Sequence, residues 1–261
     1  MKRPKLIGIL NITPDSCSDG GIYANIQNAV SRAEQMLEEG ADYIDIGGES
    51  TRPGAQAIPP DEELHRVLPV IQALIQNNIR NLSIDTRNAC TAKACLNAGV
   101  SWLNDVSALT HDADMMTVAK DFDKITLMHM RGTPDNMQNA LNYSDLILEI
   151  KNYLAARIET AVTAGIAKNK IMIDPGLGFG KSTQQCSEIL RRLHEFQELG
   201  PVYIGPSRKN FIGELTGILE YSVERDNGTL GAVLRAAESG ANFIRVHNIK
   251  AALHALKVFT A

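Results

Sequence analysis

The chain has 261 residues, 44% of them hydrophobic and 21% charged, with a formal net charge of −4. A chain of this size buries about three quarters of its unfolded surface, so it needs no disulfide or metal staples, and its length suits the roughly 250 residues of one closed α/β barrel. Interspersed charges with a slight acidic excess exclude nucleic acid and anionic membranes as main partners and leave small molecules.

In chain order, short apolar runs occur at Leu6–Leu10, Tyr43–Ile46, Leu82–Ile84, Trp102–Leu103, Ile125–Met128, Ile171–Ile173, Val202–Ile204 and Phe243–Val246. They lack polar–apolar alternation, which predicts eight parallel strands covered on both faces. Segments with helical periodicity lie between them. One stripe is Ile26, Ala29, Val30, Ala33 and Leu37; another is Leu64, Val67, Leu68, Ile71, Leu74 and Ile75. Glycines 40, 99, 165 and 240 stand between helix and strand, where a left-handed residue ends a helix. Eight βα units with right-handed crossovers predict a single-domain α/β protein over residues 1–261, a (β/α)8 TIM barrel, with an open doubly wound sheet as the alternative.

The polar residues that follow the runs carry the functional signal. The strands end in turn at Asn11, Gly47-Gly-Glu49, Asp85, Asn104-Asp105, His129, Asp174, Ser207-Arg-Lys209 and His247, with Arg245 just inside. In a parallel barrel these ends share one rim, where barrel enzymes place their chemistry. An isolated Asp85 before Thr-Arg-Asn reads equally well as a helix cap. Capping explains neither Lys209 nor His247, and such a set buried together would be costly without a polar ligand.

Residues 11–21 (Asn-Ile-Thr-Pro-Asp-Ser-Cys-Ser-Asp-Gly-Gly) read as a lid, and the hydroxyls and guanidinium of 49–54 (Glu-Ser-Thr-Arg-Pro-Gly) suit an anion. Residues 174–181 (Asp-Pro-Gly-Leu-Gly-Phe-Gly-Lys) are glycine-rich without Walker spacing. The six histidines form no i, i+4 pair that would hold zinc, and His65, His194 and His254 read as packing or surface residues of helices. Cys17, Cys90, Cys95 and Cys186 lack paired zinc spacing, and with no signal peptide or membrane span in view a reduced, cytoplasmic protein is expected.

Taken together, these segments, with Asn104-Asp-Val-Ser107, Met128-His-Met-Arg-Gly132, Ser207-Arg-Lys209 and Arg245-Val-His247, resemble the dihydropteroate synthase family over nearly the whole chain. The resemblance implies a folate-pathway transferase that joins 6-hydroxymethyl-7,8-dihydropterin diphosphate to 4-aminobenzoate, releasing diphosphate. It implies a pterin pocket of Asp85, Asn104, Asp174 and Lys209 flanked by Met128 and Phe179, with Asp85 and Lys209 taking part in catalysis. Asn11, with Asp19 of the lid as the third catalytic candidate, would hold Mg²⁺ on the diphosphate. Thr51, Arg245 and His247 would contact the diphosphate, and Arg52, Pro53, Ser207, Cys17 and Asn210 would shape the aminobenzoate subsite. A homodimer is also implied.

Three positions depart from the family pattern: Cys17 where phenylalanine is usual, Asn210 where serine is usual, and Asn248 in place of aspartate. The first two predict altered handling of aminobenzoate and its sulfonamide mimics. Two other readings stand beside the synthase: a methyltetrahydrofolate-dependent methyltransferase, disfavoured by the diphosphate-type groups, and a non-catalytic paralogue that keeps the pterin pocket.

Overall fold

Strand and helix alternate along the chain as the glycine joints predict. The structure, a computed structural model, describes residues 2–12, 21–51, 54–134, 136–138 and 141–261, excluding the side chains of 21–25. The strands are β1 (Lys5–Asn11), β2 (Tyr43–Gly47), β3 (Leu82–Asp85), β4 (Trp102–Asp105), β5 (Lys124–Met128), β6 (Ile171–Asp174), β7 (Tyr203–Ile204) and β8 (Phe243–Val246). All pair in parallel, in the order β6-β5-β4-β3-β2-β1-β8-β7. A bridge between Ile173 and Val202, with the Ile173 N–H donating to the Pro201 carbonyl at 3.0 Å, joins the two ends. The sheet therefore closes as a (β/α)8 TIM barrel, and the open doubly wound alternative falls away.

The helices form the outer layer: α1 (Gly21–Glu38), α2 (Pro60–Gln76), α3 (Ala89–Asn97), α4 (Met115–Ala119), α5 (Leu146–Thr163), α6 (Thr183–Arg191), α7 (Asn210–Thr216), α8 (Asp226–Glu238) and α9 (Ile249–Thr260). Both α7 and α8 lie between β7 and β8. Gly40 and Gly99, at φ +102° and +107°, turn the chain from helix into strand in the left-handed region. On α2 the buried face is rotated from the predicted one: Glu63, Val67, Val70, Ile71 and Leu74 are buried, while Leu64 and Leu68 are half-buried. Glu63 is drawn in because its carboxylate accepts from Thr86 Oγ1 (2.8 Å) and Asn88 Nδ2 (3.0 Å) of the β3–α3 loop.

Buried on both faces as the sequence predicts, the strands send successive residues into two separate layers. Ile44, Ile46, Leu82, Ile84, Leu103, Ile125, Leu127, Ile244 and Val246 belong to the core shared with the helices. Ile7, Trp102, Met172 and Tyr203, with Tyr43 and Phe243, make a separate cluster inside the barrel. The runs look continuous because these inward positions in the lower half are apolar as well. Trp102 is the centre of this floor, meeting Tyr43, Tyr203 and Phe243 edge-on at 5.0, 5.8 and 4.9 Å and donating from Nε1 to Thr126 Oγ1 at 2.9 Å. Polar chemistry is thereby confined to the upper half.

Candidate active site

One inward step above the aromatic floor, β2, β4, β6 and β8 present Asp45, Asn104, Asp174 and Arg245, all largely buried. Arg245 donates from Nε to Asp45 Oδ2 at 2.6 Å and from Nη2 to Asp85 Oδ2 at 3.0 Å, so two of its three nitrogens are committed to carboxylates. Asn104 Nδ2 donates to the same Asp45 oxygen at 3.1 Å. That bond turns the amide oxygen of Asn104 away from Asp45 as an acceptor for a ligand. Asp45 was not among the sequence candidates. Its signal was a carboxylate between Ile44 and Ile46, inside a run read as wholly apolar.

Asp85 is not a helix cap. The N-cap of α3 is Asn88, and Asp85 opens instead on a cavity of about 910 Å³ at the C-terminal mouth of the barrel. The same cavity is lined by Asn11, Thr51, Asn104, Met128, Asp174, Phe179, Ser207, Lys209, Asn210, Arg245 and His247. Twelve sequence candidates thus converge on one space; Cys17, Asp19, Arg52 and Pro53 lie outside the described residues. Burial governs the ionisation of its groups. It pushes the Asp85 carboxyl up to about 7, with Arg245 opposing and Asp45 adding to the shift, and Asp174 up to about 6. The Lys209 amine is pushed down to about 8, with Asp174 opposing.

One wall is apolar: Val106, Met128, Met137 and Phe179 pack together, and Lys209 Nζ stands 3.9 Å from the Phe179 ring centroid. The glycine-rich segment supports this wall. The Gly176 N–H donates to Asp174 Oδ1 at 2.7 Å, which orients the carboxylate and leaves its second oxygen toward the cavity. A Cβ on Gly176, at φ +73°, would sit 2.0 Å from the His129 carbonyl oxygen, so only glycine permits the approach. Lys181, also missed by sequence reasoning, is buried and donates to Phe179 O (2.9 Å) and His129 O (3.3 Å) while meeting His129 Nδ1 at 2.9 Å. Burial lowers Lys181 to about 7 and His129 to about 2, so His129 is a neutral packing partner here.

A family model described as pterin binding enzyme matches residues 7–247. A dihydropteroate synthase of Neisseria meningitidis serogroup C is 44% identical over all of this chain and 93% of its own length. Among solved structures, the Xanthomonas albilineans dihydropteroate synthase with 4-aminobenzoic acid superposes at a TM-score of 0.91, with 44% identity over 99% of this chain and 92% of that one. The Yersinia pestis dihydropteroate synthase with a sulfonamide drug gives 0.91, with 41% identity over 99% and 94%. The chain belongs to the dihydropteroate synthase family.

In this member of the dihydropteroate synthase family the rim around β7 and β8 is tightly cross-linked. Ser207 Oγ meets His247 Nδ1 at 2.8 Å and accepts from the His247 backbone N–H at 3.2 Å, and Tyr221 OH stands 3.2 Å from His247 Nε2. Arg208, at φ +55°, makes a two-pronged pair with Asp226 (2.7 and 3.0 Å). Asn248, one of the departures from the dihydropteroate synthase pattern, caps α9 by accepting from Ala251 N and donates to Asp226 Oδ2 at 3.1 Å. Its role here is therefore to cap a helix and brace Asp226. Asn210 Oδ1 accepts from Arg225 Nη1 at 3.2 Å. On the opposite rim, Glu49 holds Arg87 through bonds of 2.9 and 3.2 Å, fixing the start of the segment that carries Thr51.

Among the described residues no cluster of three or more His, Cys, Asp or Glu could cage a metal ion. A Cβ built on Gly47 would lie 3.7 Å from Asn11 Oδ1 and 3.8 Å from Asp85 Oδ2, so an amide oxygen and a carboxylate share one corner. Such a sparse set of hard oxygen donors fits Mg²⁺, which keeps several waters and takes substrate phosphates as ligands.

Proposed function

We propose that the chain condenses 6-hydroxymethyl-7,8-dihydropterin diphosphate with 4-aminobenzoate to give 7,8-dihydropteroate and diphosphate. The observation that carries this reading is the convergence of Asp85, Asn104, Asp174 and Lys209 on one cavity above an apolar floor and beside an apolar wall. A pterin is a flat heterocycle with donors and acceptors along one edge. Asp174, anchored through one oxygen by Gly176, accepts from the amino group and ring N–H; Asn104 offers its amide oxygen; Lys209 donates to a ring acceptor; Met128 and Phe179 flank the ring from the apolar wall. Hydrogen bonds to charged groups contribute about 1.5–3 kcal/mol net each, so this edge selects strongly.

Departure of diphosphate leaves positive charge on the pterin methylene, which the Asp85 carboxylate stabilises while Arg245 holds that carboxylate in place. That departure breaks the C–O bond to diphosphate; the aminobenzoate amine then forms the C–N bond to the methylene and loses its proton to solvent. No covalent enzyme intermediate is needed. Thr51 and His247 receive the diphosphate, with the third nitrogen of Arg245 beneath them, and Ser207, Asn210, Cys17, Arg52 and Pro53 bound the aminobenzoate end. Asn11, with Asp19, would hold Mg²⁺, and the chemistry such an ion supplies is neutralisation of the leaving group.

The same reading takes residues 1–261 as one catalytic domain that acts on small molecules in the cytoplasm as a homodimer and is inhibited by sulfonamides. No helix among the described residues is long and apolar enough to cross a membrane. The test is diphosphate release from purified protein given the pterin diphosphate, Mg²⁺ and aminobenzoate. Release that requires both substrates and yields pteroate supports the reading; pterin binding without turnover would make the chain a binding paralogue, and methyl transfer from methyltetrahydrofolate a methyltransferase.

A further inference from the structure

The segment between α7 and α8 reaches the active-site rim, and none of its residues stood out in the sequence. Arg225, only 2% exposed, holds it there: Nε donates to Ile218 O at 3.0 Å, Nη2 to Leu219 O, and Nη1 to Arg208 O at 2.9 Å and Asn210 Oδ1 at 3.2 Å. All four acceptors are neutral, so this buried cation works as a fork that staples the α7–α8 segment to the β7–α7 loop. Gly213 leaves room for it, since a Cβ there would sit 2.6 Å from Arg225 Nη2. What the stapled segment presents to the cavity is Tyr221. The residue is 41% exposed, yet its hydroxyl lies 3.2 Å from His247 Nε2 and also hydrogen-bonds the Arg208 side chain.

Both ring nitrogens of His247 are engaged: Ser207 Oγ accepts from the His247 backbone N–H at 3.2 Å and meets Nδ1 at 2.8 Å, and the Tyr221 hydroxyl meets Nε2 at 3.2 Å. An imidazole held at both nitrogens has a fixed plane before any ligand arrives, and preorganisation of this kind reduces the ordering cost of binding.

We propose that Tyr221 is a positioning residue for the diphosphate end of the site: its hydroxyl, against Ser207 on the far side of the ring, clamps the His247 imidazole in one plane at the edge of the cavity, and Arg225 sets the clamp. The role assigned to His247 rests on the transferase reading. The two are separated by measuring binding as well as turnover.

The test is Tyr221→Phe, which removes one oxygen from a half-exposed side chain and is expected to leave the melting temperature unchanged. Calorimetric affinity for inorganic diphosphate with Mg²⁺, and 1/KM for the pterin diphosphate, should fall about three- to tenfold, the range of one net hydrogen bond. KM for aminobenzoate should stay within twofold. Because the hydroxyl acts through the imidazole, Tyr221→Phe should add no further loss in a His247→Ala background. Arg225→Lys, which cannot reach four acceptors, should reproduce the defect if it remains folded. Diphosphate affinity in Tyr221→Phe equal to wild type, losses that multiply in the double variant, or a wild-type protein that binds no diphosphate would each overturn the clamp. Weakened diphosphate binding in a protein that never forms pteroate would leave the clamp standing and remove the transferase reading instead.

Discussion

Replacing Asp45 by asparagine tests whether the charged layer above the barrel floor is held by a residue that touches no predicted ligand. The Asp45 side chain is fully buried and a single oxygen accepts from Arg245 Nε at 2.6 Å and Asn104 Nδ2 at 3.1 Å. Asparagine keeps the volume and removes the charge. Breaking a buried ion pair from one side costs about 3–5 kcal/mol; Arg245 retains Asp85 at 3.0 Å, which places Asp45→Asn near the lower end, about 3 kcal/mol. For a chain of this size each kcal/mol moves the melting temperature by about 2–4 °C, so a drop of about 6–12 °C is expected by calorimetry. The kinetic effect follows from Asn104. A neutral amide oxygen accepts more weakly than the carboxylate and is shared with Arg245 Nε, so the Asn104 amide is held less firmly and its pterin-facing oxygen is presented less often. A loss of about 1.4 kcal/mol there is a tenfold fall in kcat/KM for the pterin diphosphate, with KM for aminobenzoate unchanged. A melting temperature within 2 °C of wild type together with unaltered kinetics would refute the idea that Asp45 organises the layer.

Asp174→Asn should lower kcat/KM by at least about tenfold, because donors lie on both sides of this group, the Gly176 N–H on one and the pterin on the other, and an amide must turn its NH2 against one of them; near-normal steady-state kinetics would remove Asp174 from the pocket. With its carboxyl raised to about 6, Asp174 is protonated at pH 5, so pterin affinity measured calorimetrically should rise about tenfold between pH 5 and pH 7. The ligand-free protein behaves oppositely: Asp85 and Asp174, raised from 3.8 to about 7 and about 6, keep protons the unfolded chain has released, so their contribution to stability is lost as pH rises from about 4 to about 7. A pterin affinity that is flat across this range would contradict the assignment of Asp174 as the ionised acceptor. Cys17→Phe combined with Asn210→Ser should shift aminobenzoate KM and sulfonamide inhibition in parallel by more than about threefold, the scale of a single contact. Unchanged values would separate these two positions from the aminobenzoate subsite.

How much of this was legible in the sequence depends on which strand residue carried the signal. Asn11, Asp85, Asn104, Asp174 and His247 stand at or just beyond the ends of apolar runs, and closing the barrel brings strand ends together whatever the helices do, so their convergence followed from strand order alone. Asp45 was hidden because the residues on either side of it, Ile44 and Ile46, point outward into the helical layer, and a five-residue strand with one inward polar residue scans as apolar. Glu63 was hidden by the opposite error: on a helix it looks like the solvent face, and only the β3–α3 loop, distant in sequence, supplies the Thr86 and Asn88 donors that draw it inside. Arg225 and Tyr221 had no local signal at all. Their partners Arg208, Asn210 and His247 lie between 13 and 26 residues away, and a loop residue's aim is set by the staple that holds the loop. Residues that contact ligand therefore tend to be legible, since the fold fixes where strands end, whereas those that hold them depend on tertiary contacts no short pattern encodes. Substitutions at Asp45 and Arg225 are consequently the ones from which most can be learned about why this barrel places its carboxylates and its imidazole where it does.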